Sequence, residues 1–470
     1  MMRILLALLS GCMLYAAAAA RTPASPTSTS MATPEARLID EIGSHAELMP
    51  NLERLCDDIG ARLTGSPQLQ AAQQWAMARL RAYGAVGVHL EAYDMGRPWR
   101  RGAARARLLN ASGMALEVVQ KGWTEGTARP VRAEVALLDV KTLDEFKAAA
   151  PALKGKIVLV ESAPRATPEQ RKDPAWFADA SRAVRDAQLA GVLLVSSKDN
   201  GLRDMWGGPR SLFDRHAAIV TREHANLLKR LLARGIVPRV ELELKGGFDA
   251  RPVLAYNVVA DYPGSDAGGE MVVLGAHLDS WDLGSGAADN GSGVVAMLEV
   301  LRAWHALGLR PKRALRIVLF SGEEQGLLGS RAYVAAHRGE LDRIQAVLVQ
   351  DTGSGRVTGF PDMRNDAWYA ALTKAVAPAA TLGPLDVQYG PAGGSDFEPF
   401  VNAGVPAFPA LQDERDYRSH TQHSQVDAVD HVDRAALTQA AQVLAVVAWG
   451  LANGERLPYG ATAGAAATAK

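Results

Sequence analysis

Cysteine is nearly absent from this 470-residue chain, which has only Cys12 and Cys56. A disulfide framework is therefore excluded, and stability must come from the size of the core, for which the chain is long enough. Charge of one sign is missing too, because 51 Lys+Arg face 51 Asp+Glu. With no basic excess and no acidic tail, nothing argues for a nucleic acid or a charged partner. Beyond residue 20 no run offers the ~20 apolar residues of a membrane span. There is no G-x-S-x-G elbow, which disfavours a serine hydrolase, and there are no internal repeats. Aromatic residues make up 6% and hydrophobic residues 48%, as in an ordinary soluble globular protein. The length implies two or three domains.

Residues 1–20 read as a secretory signal peptide: a positive start at Arg3, an apolar run from Ile4 to Tyr15, and small residues up to Ala20. The protein is then exported, to a periplasm or to the medium. Leu9-Ser10-Gly11-Cys12 also looks like a lipoprotein signal. Cys12 comes early and apolar residues continue past it, so cleavage after Ala20 is preferred to anchoring. Cys56 reads as a small buried apolar residue. Residues 21–35 form a Pro/Ser/Thr-rich linker and 456–470 a low-complexity, disordered tail.

From Asn257 onward, strand and helix patterns alternate, which specifies an α/β domain with a mostly parallel sheet covered by helices. This domain is expected over 36–114 and 245–455. Between them, residues 115–244 change texture. The runs KIVLV and GVLLV flank a helical stretch, and RVELEL alternates like a half-buried strand. We read this block as an inserted, smaller β-rich domain. His216 and His224 within it are ordinary surface or locally bonded histidines.

The chain is organised around MVVLGAHLDSWDLGSGAAD, residues 271–289. A buried strand delivers His277 and Asp279, two residues apart and so on one side of an extended chain. A Gly-rich loop then leads to Asp289, just before a helix whose apolar positions fall at Val294, Leu298, Leu301, Trp304 and Leu307. An imidazole and two carboxylates at such a junction suit a divalent metal. The strand Arg316 to Phe320 ends in Ser321-Gly322-Glu323-Glu324, and the strand Ala346 to Gln350 ends in Asp351. Successive strands thus deliver acidic or imidazole groups at one edge, where open α/β sheets place their ligand sites. Two adjacent glutamates can divide labour, one on metal and one free as a base. A last nitrogen ligand is sought in the polar loop after PAFPAL, where both His420 and His423 are candidates; His431 lies too near the closing helix.

The segments HLDSWDLGSGAADNGSG, LGLRPKRALRIVLFSGEEQG, AGVP (403–406), HSQVDAVDHVD and GARLTGS (60–66) resemble the co-catalytic zinc aminopeptidase family, which includes bacterial aminopeptidases and glutamate carboxypeptidases. The resemblance covers most of residues 36–455, and residues 115–244 resemble a protease-associated domain. One departure is Ala428, where a Thr is usual.

The resemblance implies two zinc ions per chain, bound by His277, Asp289, Glu324, Asp351 and His423. His277 and Asp351 would serve one ion, Glu324 and His423 the other, with Asp289 between them. It chooses His423 over His420, makes Glu323 the general base, and has Asp279 fix the His277 ring. Two zincs about 3.5–4 Å apart would share a hydroxide that cleaves dipeptides or amino-terminal residues. Homodimerisation is implied by the resemblance alone. The rival expectations are a single-zinc glutaminyl cyclase on the same fold, and a non-catalytic binding module. Gly393-Gly394-Ser395-Asp396 either shapes a substrate pocket or caps the helix after it, and Trp281 and Tyr417 either border the site or simply pack.

Overall fold

A computed structural model describes residues 32–460, apart from 172, 210 and 267. The expected leader and most of the linker lie outside the described residues, as do the last ten residues. Residues 34–460 form one compact unit.

The first eight-stranded sheet runs, from edge to edge, through Val86–Gly96, Val253–Tyr262, Ala314–Phe320, Met271–His277, Ile344–Gln350, Ala407–Gln412, Val357–Pro361 and Asp386–Gln388. Its four central strands, from Ala314–Phe320 to Ala407–Gln412, are parallel. Antiparallel pairing appears toward both edges. Every residue of Met271–His277 is buried, as expected of a central strand covered on both faces, which is why it reads as an unbroken apolar run. The helices Ser292–Ala306 and Arg434–Asn453 pack on this part of the sheet and on each other.

The helix Ser292–Ala306 was expected to bury one stripe. Instead all residues from Ser292 to Trp304 are buried. Its two charged residues are accommodated by pairing: Arg302 reaches Glu299 at 2.7 Å and Glu41 at 2.8 Å. Arg434–Asn453 has the length and mean hydropathy of a membrane span, although polar residues interrupt it. It is nevertheless the buried core helix of this sheet, with 14 of its residues buried.

A second eight-stranded sheet is built from the strands Ala115–Leu116, Ala104–Leu108, Arg239–Leu244, Val131–Asp139, Ile157–Ser162, Gly191–Val195, Ala217–Val220 and Val118–Gln120, in that order. It therefore starts at Ala104 rather than at the expected residue 115. Ala104–Leu108 buries only Ala106 and Leu108 while Arg105 and Arg107 face solvent, so its apolar signal in the sequence is faint.

Two end regions also differ from expectation. The linker stops at Pro34, where the helix Pro34–His45 begins. Residues 456–460 are not a loose tail: Leu457 is buried, Trp368 Nε1 donates to the Pro458 carbonyl at 3.1 Å, and the Tyr459 hydroxyl donates to the Ala403 carbonyl at 2.6 Å. Three bulky side chains anchor a stretch whose composition alone looked featureless.

Candidate metal centre

The parallel register builds the site. Gly275 stands opposite Val349, so two residues further on His277 comes level with Asp351. His277 Nε2 lies 3.1 Å from Asp351 Oδ1 and 3.2 Å from Asp289 Oδ1. His423 Nε2 lies 2.9 Å from Glu324 Oε2 and 3.3 Å from Asp289 Oδ2. Asp289 thus presents one carboxylate oxygen to each histidine. Glu323 joins the same cluster, with an oxygen within 4.8 Å of donor atoms of His277 and Asp351. Asp289, Glu323, Glu324, Asp351 and His423 line a cavity of about 320 Å³ together with Leu327, Tyr417 and Gln422, while His277 is buried behind it.

His423, not His420, enters the cluster; His420 is half-buried and hydrogen-bonded to Ser419 Oγ at 2.8 Å. His431 pairs with Asp416 at 2.8 Å, away from the site. Asp279 differs in detail from expectation. It is the backbone carbonyl of Asp279 that meets His277 Nδ1, at 2.9 Å, while the carboxylate stands at 3.7 Å and accepts instead from the Thr64 hydroxyl at 2.7 Å. The ring is still oriented from behind, with Nε2 left to face the cluster. His423 is held at φ 59°, a left-handed backbone that non-glycine residues adopt only when their surroundings dictate it. Those surroundings include the second sheet's block: Met205 N donates to the His423 carbonyl at 2.8 Å, and Lys198 Nζ donates to the Arg418 carbonyl.

Two residues that hold the site were not singled out by sequence reasoning. Arg62 is fully buried and donates to the carbonyls of Leu278 (2.7 Å), Ser285 (2.7 Å), Gly286 (2.8 Å) and Gly60 (3.2 Å). It clamps the loop that follows His277. Gly286 permits this fold-back: at φ +67° a Cβ would sit 2.4 Å from Ser280 Cβ. Asp427 accepts from the backbone N–H groups of Ala288 and Asp289. Both residues fall inside segments that carried the family resemblance, but nothing in a linear motif reveals a side chain spent on a distant backbone.

Trp281 borders the site, its ring edge-on to His423 with centroids 6.2 Å apart and to Trp123 at 6.0 Å. Tyr417 lines the cavity beside Asp289. Ser395 and Asp396 do not cap the helix Glu398–Asn402 with their side chains. Asp396 is fully buried with neither carboxylate oxygen hydrogen-bonded among the described residues, and Gly394 lines the cavity.

The electrostatics are those of concentrated negative charge. Burial, reinforced by the other carboxylates, pushes Glu324 up to about 7 and Asp396 up to about 8, and holds Glu323 well above the usual carboxylate range. Burial works against a charged His423, yet Glu324 and Asp289 push it up to about 9. Among the described residues, Asp289 Oδ2 and Glu324 Oε1 make no hydrogen bond although both are buried. Buried carboxylates gathered in this way call for a cation. The donors are imidazole and carboxylate with no thiolate, a set that fits zinc. Cys56 takes no part, since it is buried and its thiol is pushed up to about 11 by burial.

Comparison with known proteins agrees with the chemistry. The model of peptidase family M28 matches residues 257–448. The chain is 31% identical to carboxypeptidase Q of Mus musculus over 412 residues, 86% of this chain and 85% of that one. Among solved structures, a peptidase M28 precursor from Shewanella amazonensis superposes with a TM-score of 0.79 at 28% identity, covering 90% of this chain and 98% of that one. A zinc aminopeptidase from Bacillus subtilis shares the fold, with a TM-score of 0.63 at 20% identity over 87% and 95% of the two chains. The family resemblance and the α/β fold read from the sequence are both borne out: the chain belongs to peptidase family M28 and is a metallo-exopeptidase.

Proposed function

We propose that the protein is an exported di-zinc exopeptidase that hydrolyses dipeptides or removes amino-terminal residues from peptides. The observation that carries this reading is Asp289, whose two oxygens face two different histidines at 3.2 and 3.3 Å. A carboxylate so shared suits two ions rather than one. His277 and Asp351 would hold the first, His423 and Glu324 the second, with Asp289 common to both. When bound, the two zincs supply Lewis acidity at the scissile carbonyl and lower the pKa of water into the neutral range.

The chain's own residues do the rest. Glu324 stands 2.9 Å from His423, whereas Glu323 is in ion-pair contact with neither histidine among the described residues. This supports Glu324 as the ligand and Glu323 as the general base. Glu323 takes a proton from the attacking water and passes it to the leaving amine, a task suited to a carboxyl held high by burial. The Asp279 carbonyl keeps the His277 ring in register. Export rests on residues 1–20, and a mature protein beginning at Arg21 is expected; a chain beginning at a lipidated Cys12 would overturn that. The second sheet's block is read as protease-associated-like.

The decisive experiment is hydrolysis of free and amino-blocked dipeptides, with and without a chelator, alongside metal analysis. Cleavage of free dipeptides only, lost on chelation and restored by zinc, with two zincs per chain, is expected. One zinc per chain without peptide cleavage would favour a cyclase instead, and no bound metal would favour a binding module.

A further inference from the structure

A second cavity, of about 450 Å³, adjoins the metal-lined one. Trp206, Leu212 and Phe213 form part of one wall, contributed by the second sheet's block, and Glu324, Gln325 and Gly326 form the other. Glu324 and Gly326 line both cavities, so the two are separated by no more than the segment that carries a candidate metal ligand. Three features mark the second cavity as built rather than incidental. Trp206 is 38% exposed, high for a residue that normally hides its ring, and Lys121 Nζ lies 5.1 Å from its centroid, bracing it from within. Gln325 is 5% exposed, yet among the described residues neither its Nε2 nor its Oε1 has a hydrogen-bond partner. A buried amide left unpaired is destabilising, and a ligand's polar group can remove that penalty. Gly207 and Gly208 let the wall close in: a Cβ at Gly208 would stand 2.9 Å from the Gln325 carbonyl oxygen, and one at Gly207 2.1 Å from that of Gly122.

We propose that this cavity is the specificity pocket of the enzyme, taking a branched aliphatic or aromatic side chain adjacent to the scissile bond while Gln325 hydrogen-bonds the substrate's main-chain amide. The inference rests on the exopeptidase reading and deepens it, since it assigns substrate choice to the second sheet's block. Apolar walls reward methylenes, and the size accommodates Leu or Phe.

The test uses the full-length zinc-loaded protein and kcat/KM for Ala-Ala, Leu-Ala, Phe-Ala, Ala-Leu and Ala-Phe. The wild-type chain is expected to favour the bulky residue at one position by roughly tenfold or more. Trp206→Ala and Leu212→Ala should each narrow that ratio at the same position, and Gln325→Leu should raise KM more than it lowers kcat. A wild-type protein indifferent to side-chain size overturns the pocket, as do variants that keep the wild-type ratio. A wild-type protein that cleaves none of the five removes the exopeptidase reading itself, and the pocket with it.

Discussion

Asp427 Oδ2 accepts a hydrogen bond from the backbone nitrogen of Asp289 at 3.1 Å, while its Oδ1 accepts from Ala288 N at 2.6 Å. One buried acid thereby fixes the peptide that presents another to both histidines. Asp427→Ala should lower zinc affinity by a factor on the order of 10–100, and Asp427→Asn, which keeps one acceptor, should lose less. Zinc titration against a competing chelator measures both, and equal affinities in all three proteins would show that Asp427 does not set the geometry.

Arg62 satisfies four carbonyls in the loop from Leu278 to Gly286 and at Gly60. Arg62→Met removes these donors from a buried place, where each unpaired acceptor costs about 1–3 kcal/mol. The expected loss of unfolding free energy is on the order of 3 kcal/mol, read by urea denaturation. A change under about 0.5 kcal/mol, as at an ordinary surface site, would refute the clamp.

Glu323→Gln keeps the shape of the side chain but cannot accept a proton. Turnover should fall by a factor on the order of 10² to 10⁴ with zinc content unchanged. Near-normal turnover would take the base assignment away from Glu323.

His423→Ala should cost far more bound zinc than His420→Ala, because only His423 meets Asp289 and Glu324. Metal analysis of the two purified variants decides the matter, and the reverse ranking would refute it.

Lys121 supplies a pH signature. Burial pushes its ammonium down to about 7, against about 10.4 in an unfolded chain. The unfolded state therefore binds the extra proton between those two values, and stability from this group rises with pH across that window. The full cost of the buried charge is felt below pH 7. Lys121→Met should accordingly stabilise the protein most at pH 6, with the advantage shrinking by on the order of 2 kcal/mol by pH 9. Melting curves at both pH values test this; a constant or growing advantage would contradict it.

The central strands were legible because burial on both faces makes them continuous apolar runs, and three cluster residues because they sit at or soon after the end of such a run: His277 closes its strand, Asp351 follows its strand directly, and Glu324 comes four residues after Phe320. His423 needed the family resemblance, since a polar loop with two histidines holds no periodic signal. Arg62 and Asp427 escaped notice for a different reason. Their value lies in backbone groups that only the folded chain brings near, and an Arg in GARLTGS or an Asp in HSQVDAVDHVD reads locally as a solvated charge. The strand Ala104–Leu108 was passed over because small or apolar side chains alternating with two arginines resemble a loop as much as a half-buried strand. Gln325 carried no signal either, being one more polar residue after two acidic ones.

The backbone of His423 is tethered from outside its own sheet, by Met205 to its carbonyl and by Lys198 to that of Arg418. The block spanning 104–244 is consequently no detachable accessory: a chain trimmed down to the metal-bearing half would keep the imidazole in its sequence but forfeit the grip that aims it.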